Sequence, residues 1–147
     1  VSVTELTEQA YQLVAVSMDL RDIRWKCHVE PGCSFQGDLS WSVEAVGNIL
    51  KNCMEYSEPG GAITVEGTEN PLYTELMIRD EGKGIAPEDL PHLFERFYRG
   101  KDNSTESVGI GLSLAQKIIT QQNGTIQVKN GTKRGAVFTI RFYKSVI

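Results

Sequence analysis

Asn48 and Asn52 stand four residues apart in WSVEAVGNILKNCMEY, where apolar residues recur at helical spacing, so both amides fall on one helix face about 6 Å apart along the axis. Two side-chain carbonyl oxygens so placed can converge on one cation. Oxygen donors suit Mg2+, which keeps several waters and takes one or two protein ligands beside substrate phosphates. Taken alone, the pair also reads as two solvated helix asparagines. Asp80, at the end of an alternating strand pattern, precedes Gly82 and Gly84 and sets a carboxylate beside backbone that can lie against a flat ring. Adenine's exocyclic amine is a donor for it, whereas guanine presents an oxygen. A hydrogen bond to a charged group is worth about 1.5 to 3 kcal/mol, or about 10- to 100-fold in selectivity. The alternative is an Asp-Glu-Gly turn without a ligand. Ser107-Val108-Gly109-Ile110-Gly111-Leu112 opens a helix whose free amides attract phosphate, although glycines that serve helix packing look the same. No GxxxxGK[ST] occurs and no GxGxxG follows a strand, so neither a Walker A loop nor an ordinary dinucleotide fingerprint is present.

The elements that must hold these groups follow from periodicity. A short extended piece at Val3 leads into a helix bracketed by Thr4 and Glu8, with a stripe of Leu6, Ala10, Leu13, Val14 and Met18 that ends near Leu20. Arg24 to Val29 and Ser34 to Gly37 predict a hairpin about Pro31-Gly32. Asp38 is the expected N-cap of the asparagine-bearing helix, whose stripe is Val43, Val46, Ile49, Leu50 and Cys53 and whose stop is Glu58-Pro59-Gly60-Gly61. Strands are predicted over Ile63 to Glu66 and Leu72 to Arg79. Ile110, Leu114, Ile118 and Ile119 mark another helix that stops at Asn123-Gly124, and Thr125 to Val128 and Ala136 to Tyr143 are two further strands around Asn130-Gly131. That order predicts an α+β two-layer sandwich.

The chain's 147 residues fit one domain, residues 1–147, and its 40% hydrophobic and 23% charged residues are ordinary globular values. A net charge of -4 argues against a nucleic-acid surface. Cys27, Cys33 and Cys53 lack CxxC spacing, which favours neither a disulfide framework nor zinc and points to a reducing cytosol. No run approaches the roughly 20 apolar residues of a membrane span. The opening Val-Ser-Val-Thr suggests a piece of something longer, whose remainder can be membrane-bound.

In combination the motifs are specific. N-x-x-x-N on a helix, then D-x-G-x-G-I, LFERFYRG, GIGLSLA and a glycine-bearing turn into a last strand resembles, over nearly the whole chain, the catalytic ATP-binding domain of sensor histidine kinases. This group belongs with gyrase, Hsp90 and mismatch-repair ATPases in the GHKL superfamily. The resemblance implies the Bergerat fold, with a mixed, mostly antiparallel sheet packed on three helices and an ATP lid over about 86–108. It makes Asn52 the Mg2+ ligand with Asn48 its partner toward the phosphates, Asp80 the adenine reader, and Gly82 and Gly84, closed by Ile85, the backbone beneath the purine. Tyr56 lies where an aromatic meets the nucleotide. Phe94 and Phe97 resemble the family's aromatic pair that anchors the lid, with plain core packing as the alternative, and Arg99 resembles the basic residue that meets the γ-phosphate. By the same resemblance Gly109 and Gly111, with Ile110 and Leu112, are expected to bring helix amides to the phosphates.

Some positions depart from the family pattern. Glu55 stands where a basic residue is frequent, Ser107 replaces a glycine, and Ala136 replaces a common Thr; Lys101 can supply the charge lost at Glu55. His28 and His92 are followed by Val29 and Leu93, unlike a phosphoacceptor histidine, so the acceptor is expected on a separate dimerising helical hairpin. The resemblance thus implies a histidine kinase catalytic domain that needs ATP and Mg2+. It implies as partners the acceptor hairpin and, indirectly, a response regulator. An isolated monomer, a full-length homodimer, and a cytoplasmic domain of a bacterial membrane sensor are implied as well. A vestigial pseudo-kinase or interaction module, a GHKL ATPase and an anti-sigma serine kinase are the alternatives, and the intact Asn52, Asp80 and glycines argue against the first.

Overall fold

The computed structural model describes residues 1–95, 111–131 and 134–144. Helix α1 spans Val3–Leu20, β1 Arg24–Val29, α2 Leu39–Tyr56, β2 Ala62–Glu69, β3 Tyr73–Arg79, α3 Gly111–Gln121, β4 Gly124–Asn130 and β5 Ala136–Tyr143, with one 3-10 turn at Leu90–His92. The strands form one sheet in the order β1-β2-β3-β5-β4. Among the described residues the β1–β2 pair is parallel, and β2–β3, β3–β5 and β4–β5 are antiparallel. This is the expected α+β two-layer arrangement.

Alternation decides which face of the sheet is covered. Thr74, Leu76 and Ile78 on β3 and Phe138, Ile140 and Phe142 on β5 are buried, and their neighbours Glu75 and Arg141 point outward as an ion pair at 2.9 Å. The buried set meets Leu6, Ala10, Val14 and Met18 of α1, Val46, Ile49, Leu50 and Cys53 of α2, and Ala115, Ile118 and Ile119 of α3. Burying each large aliphatic side chain contributes about 1.5 to 3 kcal/mol, so this layer fixes the helices that carry the site. Asp38 caps α2 as expected, its carboxylate accepting from Trp41 N at 2.8 Å.

The structure corrects several local expectations. Val3 is inside α1, and the N-cap is Ser2, whose side chain accepts from Glu5 N at 3.3 Å. Leu13 is 51% exposed rather than buried, and Thr7 takes an inward place by returning its hydroxyl proton to Val3 O at 3.0 Å. The predicted hairpin does not form. β1 instead pairs in parallel with β2 from Arg24↔Ala62 to Val29↔Gly67, six residue pairs that the four-residue stretch after Gly32 cannot match. That stretch bonds to the start of the chain, with Val3 N donating to Cys33 O and Phe35 N to Val1 O, both at 3.0 Å. At the end of α3, Asn123 rather than Gly124 takes the left-handed conformation (φ +61°), and Gly124 enters β4. β2 continues through Glu69, whereas Leu72 lies in the turn closed by the Asn70 side chain on Leu72 N and Tyr73 N.

Candidate nucleotide site

Asp80 follows β3 directly and is 1% exposed. Its Oδ1 accepts from Gly82 N at 2.9 Å and from Ala136 N at 3.1 Å, while its own N–H donates to Ala136 O at 3.1 Å. Oδ2 is buried and has no hydrogen-bond partner among the described residues. Burial pushes the Asp80 carboxyl above its ordinary value, against the pull of the Gly82 and Ala136 amides and the neighbouring Cys53 thiol. A buried acceptor without a donor costs about 1 to 3 kcal/mol, a cost that a ligand N–H aimed at Oδ2 removes. An exocyclic amine fits that requirement.

The floor beside Asp80 is backbone packed on backbone. A β-carbon placed on Gly82 would lie 1.8 Å from the carbonyl oxygen of Tyr56, the last residue of α2, and one on Gly135 would lie 2.0 Å from the Asp80 carbonyl oxygen. Gly135 also has φ +79°. Gly135→Ala therefore combines a left-handed strain of about 1 to 2 kcal/mol with a backbone clash, and it should destabilise the domain by at least about 2 kcal/mol in urea unfolding. Two side chains from the β4–β5 end close the floor from below. Asn130 bonds to both backbone groups of Ile85, and Arg134 Nε donates to Gly82 O at 3.3 Å while its guanidinium pairs with Glu58 at 2.8 Å.

Helix α2 carries the other half of the site. Asn52 Oδ1 is buried and, like Asp80 Oδ2, lacks a hydrogen-bond partner among the described residues. An oxygen donor left open on a rigid helix fits a hard cation such as Mg2+. Asn48, one turn earlier, faces the first residue of α3, where a β-carbon on Gly111 would stand 3.6 Å from Asn48 Cγ. The packing of α2 on α3 thus brings the amide of Asn48 beside Gly111, the first described residue of α3.

The remaining expected residues divide by position. Tyr56 is buried at the end of α2, and Ile85 and Leu112 lie in the hydrophobic core, where they fix the loop and the start of α3. Phe94 is half-buried against that core. Phe97, Arg99, Lys101, Ser107, Gly109 and Ile110, with the lid beyond residue 95, lie outside the described residues. His28 is exposed on β1, and His92 is exposed beside Glu95 in the 3-10 turn. Asn130, Arg134 and the interaction of Cys53 with Asp80 carry no motif in the sequence. Asn130 and Arg134 looked like turn residues, and Cys53 like one more position of an apolar stripe.

Residues 37–145 match the family described as the histidine kinase-, DNA gyrase B-, and HSP90-like ATPases. The chain belongs to this family. Within it the chain is 35% identical to the sensor histidine kinase YvrG of Bacillus subtilis over 80% of its own length and 20% of that protein's. It is 29% identical to the sensor-like histidine kinase SenX3 of Mycobacterium tuberculosis over 95% of its length and 35% of that protein's. Among solved structures, the mycobacterial sensor histidine kinase MprB superposes with a TM-score of 0.82 at 28% identity, covering 97% of both chains. The chain thus spans about a fifth to a third of these curated relatives and is an ATP-binding catalytic domain of the sensor histidine kinase kind. No helix among the described residues is long and apolar enough to cross a membrane.

Proposed function

We propose that this domain binds Mg-ATP and donates the γ-phosphoryl group to a histidine on a separate dimerisation and phosphoacceptor domain, as the first step of a two-component relay to a response regulator. The observation that carries the reading is the pair of buried oxygens without partners, Asp80 Oδ2 and Asn52 Oδ1, on the two residues that resemble the family's base reader and metal ligand. Asp80 accepts the adenine amine above the Gly82–Gly84 backbone, with Tyr56 and Ile85 framing it. Asn52, with Asn48, holds the metal. Gly109, Ile110, Gly111 and Leu112 present helix amides to the phosphates, Arg99 meets the γ-phosphate, Lys101 supplies the charge lost at Glu55, and Phe94 and Phe97 anchor the lid over 86–108.

When bound, magnesium neutralises charge on the phosphate oxygens. The transfer breaks the bond between the γ-phosphorus and the bridging oxygen, forms a bond to an imidazole nitrogen of the acceptor, and leaves ADP. An amide at Asn48 cannot accept a proton from water at neutral pH, so hydrolysis stays slow and the phosphoryl group waits for the incoming imidazole. The full protein then works as a homodimer in the cell membrane, with this domain, monomeric when alone, on the cytoplasmic side. Titration calorimetry with ADP and a non-hydrolysable ATP analogue, with and without Mg2+, tests the binding half. Metal-dependent binding of the ATP analogue is expected, and absence of heat at millimolar nucleotide overturns the reading.

A further inference from the structure

We infer that Asn130 is a positioning residue for nucleotide binding, acting through Ile85 to hold the Asp80–Ile85 loop in its ring-accepting shape. Asn130 is the last residue of β4 and is 45 positions from Ile85 in sequence, yet its Oδ1 accepts from Ile85 N at 2.8 Å and its Nδ2 donates to Ile85 O at 2.8 Å. One side-chain amide therefore occupies both hydrogen-bonding groups of one residue, as a neighbouring strand would. Among the described residues neither Gly82 nor Ile85 bonds to another backbone group, so beyond the Asp80 N to Ala136 O bond at its start the loop is tied through side chains. Asp80 and Arg134 hold Gly82 at its start, and Asn130 holds Ile85 at its end.

The tie is hard to replace. Ile85 is 4% exposed, and among the described residues its N–H and C=O have no hydrogen-bond partner besides Asn130. The Arg134 tie is longer, 3.3 Å, on a side chain 55% exposed and shared with Glu58. Asn130 Oδ1 also lies 2.9 Å from where a β-carbon of Gly84 would stand, so the same amide packs behind the second loop glycine. Only an amide of this length supplies one donor and one acceptor here. Aspartate keeps the acceptor, loses the donor and sets a carboxylate against the Ile85 carbonyl.

This inference rests on the proposed nucleotide site. The test measures ADP affinity, thermal stability and hydrogen exchange at the Ile85 amide in the intact domain for wild type, Asn130→Ala, Asn130→Asp and the control Asn123→Ala. Asn123 likewise uses its amide on a backbone carbonyl, Tyr143 O at 3.0 Å, but at the far end of β4. Both Asn130 variants should weaken ADP about ten-fold and speed exchange at Ile85, and saturating ADP should restore much of the protection. Asn123→Ala should lower the melting temperature with ADP affinity unchanged. Wild-type affinity in a folded Asn130 variant, or an equal loss in Asn123→Ala, overturns the positioning role. Failure of the wild type itself to bind ADP overturns the nucleotide site instead.

Discussion

Asp80→Asn is expected to abolish measurable adenine nucleotide binding and to leave the ligand-free domain as stable as the wild type or more so. Both effects follow from one carboxylate. Oδ1 is committed to Gly82 N and Ala136 N, and an asparagine oxygen can keep those bonds, so the floor survives. The second position changes from an acceptor without a donor to an NH2 group that meets the adenine amine donor to donor. Loss of a charged hydrogen bond together with a buried mismatch should cost at least 100-fold in affinity. On the stability side, burial raises the Asp80 pKa in the fold above its value in the unfolded chain, so the native state binds the proton more tightly. Asp80 therefore favours folding only while protonated, and its ionisation lowers stability as pH rises through the folded pKa. The amide removes that penalty. Nucleotide affinity runs the other way and should fall as pH drops through the raised Asp80 pKa, a loss that Asp80→Asn cannot show. Calorimetry and thermal melts of both proteins across that range check each sign, and near-native ADP affinity in the variant refutes the assignment.

Asn52→Ala should remove the gain in ATP affinity that Mg2+ produces while leaving the helix intact. Asn52 lies within α2, where alanine is the better helix former, and its Oδ1 makes no hydrogen bond to the described protein that the change would break. The ligand-free melting temperature should hold or rise. Asn52→Asp returns an oxygen with added charge and should recover metal dependence, which separates loss of a ligand from damage to the helix. Nucleotide titrations at stepped Mg2+ concentrations read this directly. An unchanged Mg2+ response in Asn52→Ala would place the metal on other residues.

The site was legible where chemistry repeats in a local pattern and illegible where it depends on contacts across the sheet. Asn48 and Asn52 were visible because a helix puts positions four apart on one face, and Asp80 with Gly82 because a carboxylate and a permissive backbone adjoin in sequence. Asn130 sits at a turn that any asparagine would suit. Only the β4–β5–β3 register brings it beside Ile85. The hairpin after β1 failed for a related reason: Arg24 to Val29 alternates well enough to be a strand, but its partner is chosen by competition with β2, which begins 33 residues after β1 ends. Leu13 shows the limit of a stripe, since a position at helical spacing can still fall on the outer shoulder of α1.

Phosphoryl donation is tested by mixing this domain with the separately made acceptor hairpin of its own full-length protein and ATP labelled at the γ-phosphate. Mg2+-dependent, acid-labile label is expected on a histidine of the hairpin, with none on His28 or His92 of this domain and no transfer by Asp80→Asn. A domain that binds Mg-ATP but leaves a folded hairpin unlabelled would contradict it.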